Sequence, residues 1–235
     1  FLDKIFPLSF YKFFNLFGVK NIVIPYKKKN QLPEKILNKL KTKKDVLNIK
    51  LENILVGDLI YDEFLRNEDK VTVDINSKVF RDHIKNSIYL FLFWSDFIKK
   101  NNINSIIYSH ATYLIGLLPR LAVHKNIPAY KIGPANIYRT TKKQMYTHDD
   151  RKNYKKVYKL FPNKLKNKYL TYAKKNILNQ FLGFQPDEKF IQKIIKIKKR
   201  KVKILIASHC FNDAVHIFGN FMFNDFHEWI NYLAN

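Results

Sequence analysis

The sequence predicts an α/β fold arranged as two nucleotide-binding-like lobes. Three observations lead there. First, Ser105-Ile106-Ile107-Tyr108, a helical stretch from about Thr112 to His124, and Ile127 to Ile132 make a strand–helix–strand unit, the repeat that builds parallel sheets. Second, a fresh apolar strand opens at Val202-Lys203-Ile204-Leu205-Ile206-Ala207 after a long helical stretch. Third, these two strands end alike, one in Ser109-His110 and the other in Ser208-His209.

In chain order, Asn21-Ile22-Val23-Ile24-Pro25 is apolar and β-branched and reads as a short buried strand, and Pro33 then stands where a helix often begins. Between Lys50 and Ile60 the apolar positions are Leu51, Ile54, Leu55, Leu59 and Ile60. Asp74 is the expected N-cap of a long helix to about Lys100, with an apolar stripe through Val79, Ile84, Ile88, Leu92 and Phe93. Asp150 to Leu182 is helical, aromatic and Lys-rich. Gly183-Phe184-Gln185-Pro186 interrupts it, and Asp187 caps a further basic helix to Arg200. The expected division is therefore 1–185 for a first α/β lobe and 186–235 for a connecting helix with the beginning of a second. Position 1 is not Met and the chain stops within an apolar, helix-like run, so the expectation is an internal piece of a longer protein.

Composition narrows the function classes. The chain is 46% apolar and 15% aromatic, enough for a buried core, which excludes a disordered tail. A net charge of +24 invites a nucleic-acid reading, but 37 of the 43 basic residues are Lys and six are Arg. Arg, with its planar fork, is the residue that reads phosphates and guanine edges, so no specific nucleic-acid role is expected. A basic surface does suit peripheral contact with anionic lipid or attraction of phosphorylated substrates. One cysteine, Cys210, excludes an internal disulfide framework and a Cys-based zinc site. The longest apolar run, from Ile88 to Trp94, falls short of a membrane span, and the compartment implied is cytoplasmic.

Candidate chemistry gathers at the strand ends, because ligands in open α/β sheets bind outside the carboxyl ends of strands. Ser109-His110 and Ser208-His209 are placed there to hydrogen-bond a ligand or move a proton. In Gly57-Asp58-Leu59-Ile60-Tyr61-Asp62-Glu63-Phe64-Leu65-Arg66, glycine allows a close approach, and Asp58, Asp62 and Arg66 fall at i, i+4 and i+8 on one helical face. Asp58, at a strand–helix turn, is a candidate general base; the bland alternative is a salt-bridge ladder. His209-Cys210-Phe211-Asn212-Asp213-Ala214-Val215-His216 has two His and an Asp but lacks the spacing of a metal site, so a polar loop meeting substrate is expected. Arg139, after the strand that ends at Gly133-Pro134, is a candidate phosphate or carboxylate ligand. No phosphate-binding or dinucleotide glycine motif and no nucleophile elbow is present.

Several of these segments, Val56-Gly57-Asp58-Leu59-Ile60-Tyr61-Asp62 with Leu65-Arg66, Ser109-His110 with Tyr113 and Arg120, Ser208 to His216, and Phe223-Asn224-Asp225-Phe226-His227-Glu228-Trp229, resemble bacterial capsule and surface-polysaccharide biosynthesis proteins of the GT-B glycosyltransferase type. The resemblance implies two Rossmann-like lobes facing a cleft, with a glycan acceptor on the first and a nucleotide sugar on the second. It also implies metal-independent transfer with no cofactor besides the donor, helix dipoles and basic side chains steadying the departing phosphate. Asp58 and His110 are then the candidate catalytic bases. Gly57, Asp62, Arg66, Ser109, Arg139, Ser208, His209, Asp213 and His216 are the candidate substrate contacts. On the expected division most of the donor site lies beyond residue 235, so this stretch alone is expected to be inactive. A non-catalytic assembly scaffold of the same fold and a basic RNA-binding protein are the alternatives.

Overall fold

A computed structural model describes residues 23–133, 137–146, 158–183, 210–217 and 221–234. The chain divides into two compact units, Phe1–His148 with Phe211–Asn235, and Asp149–Cys210. The expected lobe boundary at 185–186 and the strand expected at 202–207 lie outside the described residues.

In the first unit, α1 (Leu32–Leu37) carries Pro33 in its first turn, where the missing N–H has no helical partner to lose. Helix α2 (Lys43–Leu47) starts in a capping box: Thr42 Oγ1 accepts from the Asp45 N–H at 3.1 Å, and the Asp45 carboxylate accepts from the Thr42 N–H at 2.8 Å. β1 (Lys50–Leu51) and β2 (Ile54–Leu55) form an antiparallel hairpin whose two turn residues, Glu52 and Asn53, have φ of 47° and 63°. Two positive φ values are what a two-residue turn needs to match strand twist.

Helix α3 (Gly57–Asn67) follows at once. A Cβ on Gly57 would lie 1.9 Å from the Val46 carbonyl oxygen, so only glycine lets α3 start against the end of α2. Helix α4 (Lys78–Lys100) is the longest of the described helices. Its N-cap is Ser77, not Asp74, whose carboxylate instead accepts from the Asn76 N–H at 2.9 Å in a local turn just before the helix. Its buried stripe is Phe80, Ile84, Ile88, Phe91, Ser95 and Ile98. Val79 is 57% exposed, because the five-residue step to Ile84 turns it roughly 140° off that face.

The strand–helix–strand expectation is met. β3 (Ile106–Tyr108) runs parallel to β4 (Ala129–Ile132), joined through a 3₁₀ turn (Leu114–Gly116) and α5 (Leu117–His124). β5 (Ile137–Arg139) adds an antiparallel edge to β4, giving a three-stranded sheet. Of the strand expected at 21–25, Val23-Ile24-Pro25 is described; it forms no strand, is exposed, has no pairing partner among the described residues, and leads into Tyr26, whose ring meets Phe93 of α4. The described residues are thus mixed α/β, with one two-stranded and one three-stranded sheet and more helix than strand. Among the described residues no helix is long and apolar enough to cross a membrane.

In the second unit the described element is α6 (Asn163–Gly183), a helix whose described side chains are nearly all exposed. Back in the first unit, α7 (Phe226–Ala234) follows the 211–225 segment. The core joins Tyr61, Ile60 and Leu65 of α3 to Phe80, Ile84 and Phe91 of α4, with Leu117 and Leu121 of α5 below. Each such side chain stabilises the fold by about 1.5–3 kcal/mol on full burial.

Candidate functional site

Helix α3 organises the polar residues of this unit. Its face at Asp58, Asp62 and Arg66 forms as the spacing implies, but each residue takes a partner distant in sequence rather than its neighbour one turn away. Asp58 meets Arg120 of α5 in a two-pronged ion pair, Arg120 Nη1 and Nη2 each donating at 2.6 Å. Arg120 also donates to the carbonyls of Leu55 at 2.9 Å and Met145 at 3.2 Å, and its guanidinium lies 5.2 Å from the Tyr146 ring centre. The pair is shielded, with the Arg120 side chain 4% exposed and that of Asp58 13%. Both Asp58 oxygens are committed to one cation.

One turn on, Asp62 is buried and accepts twice from His216, from its N–H at 3.0 Å and in contact with its Nδ1 at 2.5 Å. The other ring nitrogen, Nε2, lies 2.9 Å from the Asn224 carbonyl oxygen and must donate to it. Nδ1 and the Asp62 carboxyl therefore share a proton across this buried contact. Burial pulls the His216 pKa down, but the Asp62 hydrogen bond and charge, with the Asn224 carbonyl, outweigh it and set it above the usual histidine value. Burial likewise pushes the Asp62 carboxyl up, with His216 opposing. Chemically the pair holds the 211–225 segment against α3.

At the exposed end of α3, Arg66 Nη1 donates to Asp213 Oδ1 at 2.8 Å and sits 5.4 Å from the ring centre of Tyr113, whose phenol donates to the same carboxylate. Burial first, then the Asp213 hydrogen bond and charge, push the Tyr113 phenol up to about 12. Tyr113 has φ 56° and ψ −167°, a backbone region that only glycine enters without strain. It stands at the edge of a cleft of about 490 Å³ between α3, α4 and the 3₁₀ turn, lined by Glu63, Arg66, Asn67, Trp94 and Leu114 among others. Glu63 accepts there from the Leu114 N–H at 3.1 Å and from the Asn67 amide at 3.1 Å.

Ser109 and His110 follow β3 at its carboxyl end, as the sequence implies; both are exposed, with Ser109 Oγ 3.0 Å from His110 Nδ1. Arg139 closes β5 at the sheet edge and is exposed. Gly57 packs against backbone carbonyls, which occupy the space a close ligand would need. Ser208 and His209 lie outside the described residues. So Asp62, Arg66, Asp213 and His216 are brought together along α3, Asp58 turns to Arg120, and Arg139 stands on a different element.

Sequence reasoning gave no role to Asp225. It is fully buried and accepts from the Tyr61 hydroxyl at 2.6 Å, Thr72 Oγ1 at 2.5 Å and Lys43 Nζ at 3.1 Å. Its other oxygen accepts from the Glu228 N–H at 2.9 Å, capping α7. Asn224-Asp225 followed by Glu228 is a readable capping pattern; the buried partners from α2 and α3 are not readable. Among the described residues, no three His, Cys, Asp or Glu side chains gather in a way that could hold a metal ion. No family model matches the chain, and neither does a curated protein or a solved structure.

Proposed function

We propose that this chain is the acceptor-side lobe of a GT-B-type, Rossmann-like glycosyltransferase that moves a sugar from a nucleotide sugar to a capsular or surface polysaccharide. The observation that carries the reading is Ser109-His110, exposed at the carboxyl end of a strand in a parallel pair, the position where α/β sheets bind ligands. Three residues on, Tyr113 opens the cleft that contains Trp94 and Glu63. An aromatic wall with a few fixed polar groups suits a sugar ring, which offers an apolar face and a rim of hydroxyls.

In this reading His110 takes the proton of the acceptor hydroxyl as that oxygen bonds to the anomeric carbon. The bond from that carbon to the donor phosphate breaks, and the nucleoside diphosphate leaves with the electron pair. Asp58, with both oxygens held by Arg120, positions α3 against α5 and leaves the base role to His110. No metal or cofactor enters the scheme.

The test is a kinetic split in the intact protein. His110→Ala should lower kcat about 100-fold or more, the usual contribution of a positioned base. Trp94→Ala should raise the acceptor KM with little change in kcat. Unchanged kinetics in both variants would sink the reading.

A second reading, a non-catalytic assembly scaffold, is favoured by one observation: Asp58, Asp62, Arg66, Asp213 and His216 all find partners within the fold. It predicts normal polymer in cells carrying either variant.

A further inference from the structure

A second cleft of the described residues lies away from that site. It has a volume of about 590 Å³ and runs between the extended segment 23–30 and α4. Its apolar side is Val23, Ile24 and Tyr26 facing Leu92, Phe93 and Phe97. Its rim carries Lys28, Lys29, Lys99 and Lys100. The segment is held at two points. The Tyr26 ring packs edge-on to Phe93 at 5.2 Å, and the Tyr89 hydroxyl donates to the Asn30 carbonyl at 3.4 Å.

Two features of this cleft do not suit a surface meant to meet water alone. Val23, Ile24 and Tyr26 are 38%, 53% and 64% exposed although consecutive or nearly so, which makes a contiguous apolar projection. Beside it the charge is unbalanced. Four lining lysines outnumber two lining acids: Lys99 meets Glu52 at 3.2 Å and Lys100 meets Asp96 at 2.9 Å, and Asp96 also feels the charge of Lys28.

We infer that this cleft docks on an anionic lipid surface. Lipid phosphates would lie at Lys28 and Lys29, with Val23 and Ile24 entering the headgroup boundary and Tyr26 at its level. Three features favour lipid over a nucleic acid. The protruding aliphatic side chains have no counterpart on a phosphodiester backbone. The cations are lysines, which act as point charges, and the rim has no arginine fork. A bilayer also gives one occupant that satisfies both halves of the cleft at once, an apolar interior and a negative surface. The inference stands whichever reaction the chain performs.

Co-sedimentation with vesicles tests it, using equal parts phosphatidylglycerol and phosphatidylcholine, pure phosphatidylcholine vesicles, and about 0.1 M salt. The chain should bind the anionic vesicles and leave the neutral ones. At about 1 kcal/mol per lysine at such a surface, the double variant Lys28→Glu, Lys29→Glu should weaken binding about 25-fold or more. A charge-matched control on exposed residues of α6, Lys164→Glu with Lys168→Glu, should leave it within a few-fold. Val23→Ser with Ile24→Ser, which changes no charge, should weaken it roughly tenfold. Equal losses in the two lysine pairs would show that only the net charge matters and would overturn the site. So would failure to bind anionic vesicles, or binding of a polyanion such as RNA that depends on the same lysines when vesicle binding does not.

Discussion

Replacing Arg120 with methionine removes the cation that unites three parts of the first unit. In the wild type its guanidinium makes two bonds of 2.6 Å to Asp58 and further bonds to the carbonyls of Leu55 and Met145. Methionine retains much of the side-chain length and apolar stem but leaves the Asp58 carboxylate charged, 13% exposed and without its partner. Breaking one side of a buried pair costs about 3–5 kcal/mol, because the remaining charge keeps its desolvation penalty. For a chain of this size that is a fall in Tm of roughly 6–20 °C. Urea unfolding followed by circular dichroism measures it, with an unchanged denaturant slope confirming that the native state is otherwise intact. The double variant Arg120→Met, Asp58→Leu should recover a substantial part of the loss, since two apolar groups leave no orphaned charge. A cost under about 1 kcal/mol for Arg120→Met, or a double variant equal to the sum of the singles, would refute the assignment of this pair as a buried clamp.

Two further predictions concern His216, in the segment that packs on α3, and Tyr113, which hydrogen-bonds to that segment. The pKa of His216 is raised above the unfolded value of 6.5, so its bound proton contributes stability that is fully present below pH 6.5 and is lost as pH rises through the raised value. The difference in unfolding free energy between wild type and His216→Ala should therefore be larger at pH 6 than at pH 9, as chemical denaturation at the two pH values will show; equal differences would contradict the ion pair. Tyr113 tests strain. Tyr113→Ala and Tyr113→Gly both lose the phenol, but glycine adopts φ 56° freely, so the glycine variant should be more stable by about 1–2 kcal/mol in thermal unfolding. An alanine variant as stable as the glycine one would show that the backbone there is relaxed.

Much of the local structure was legible because it depends on short-range patterns. The β-branched run at Ile106-Ile107 and the apolar spacing of α4 both found their elements, as did Pro33 for α1. The Asp58, Asp62, Arg66 face was equally readable, since helical periodicity fixes which residues share a side. Their partners were not. Arg120, Asp213 and His216 lie 62, 147 and 154 residues from the groups they meet, and nothing local records such pairings. The hairpin turn was hidden for a different reason: Glu52 is a poor residue for positive φ, and only Asn53 carries the tendency. Glu52 is held there by Ser95 and by Lys99 and Lys125, on α4 and just after α5, a tertiary contact that overrides local preference. Val23 to Pro25 misled because a β-branched run specifies an extended chain without specifying a neighbour to pair with.

The central proposal is that His110 serves a sugar transfer. Release of nucleoside diphosphate by the intact protein, supplied with a panel of nucleotide sugars and its polysaccharide acceptor, addresses it most directly. The account predicts release from at least one donor that depends on the acceptor and falls about 100-fold or more in His110→Ala while the variant stays folded. Acceptor-dependent release at the wild-type rate in His110→Ala would contradict it, as would the absence of release from every donor by a protein that still supports polymer in cells.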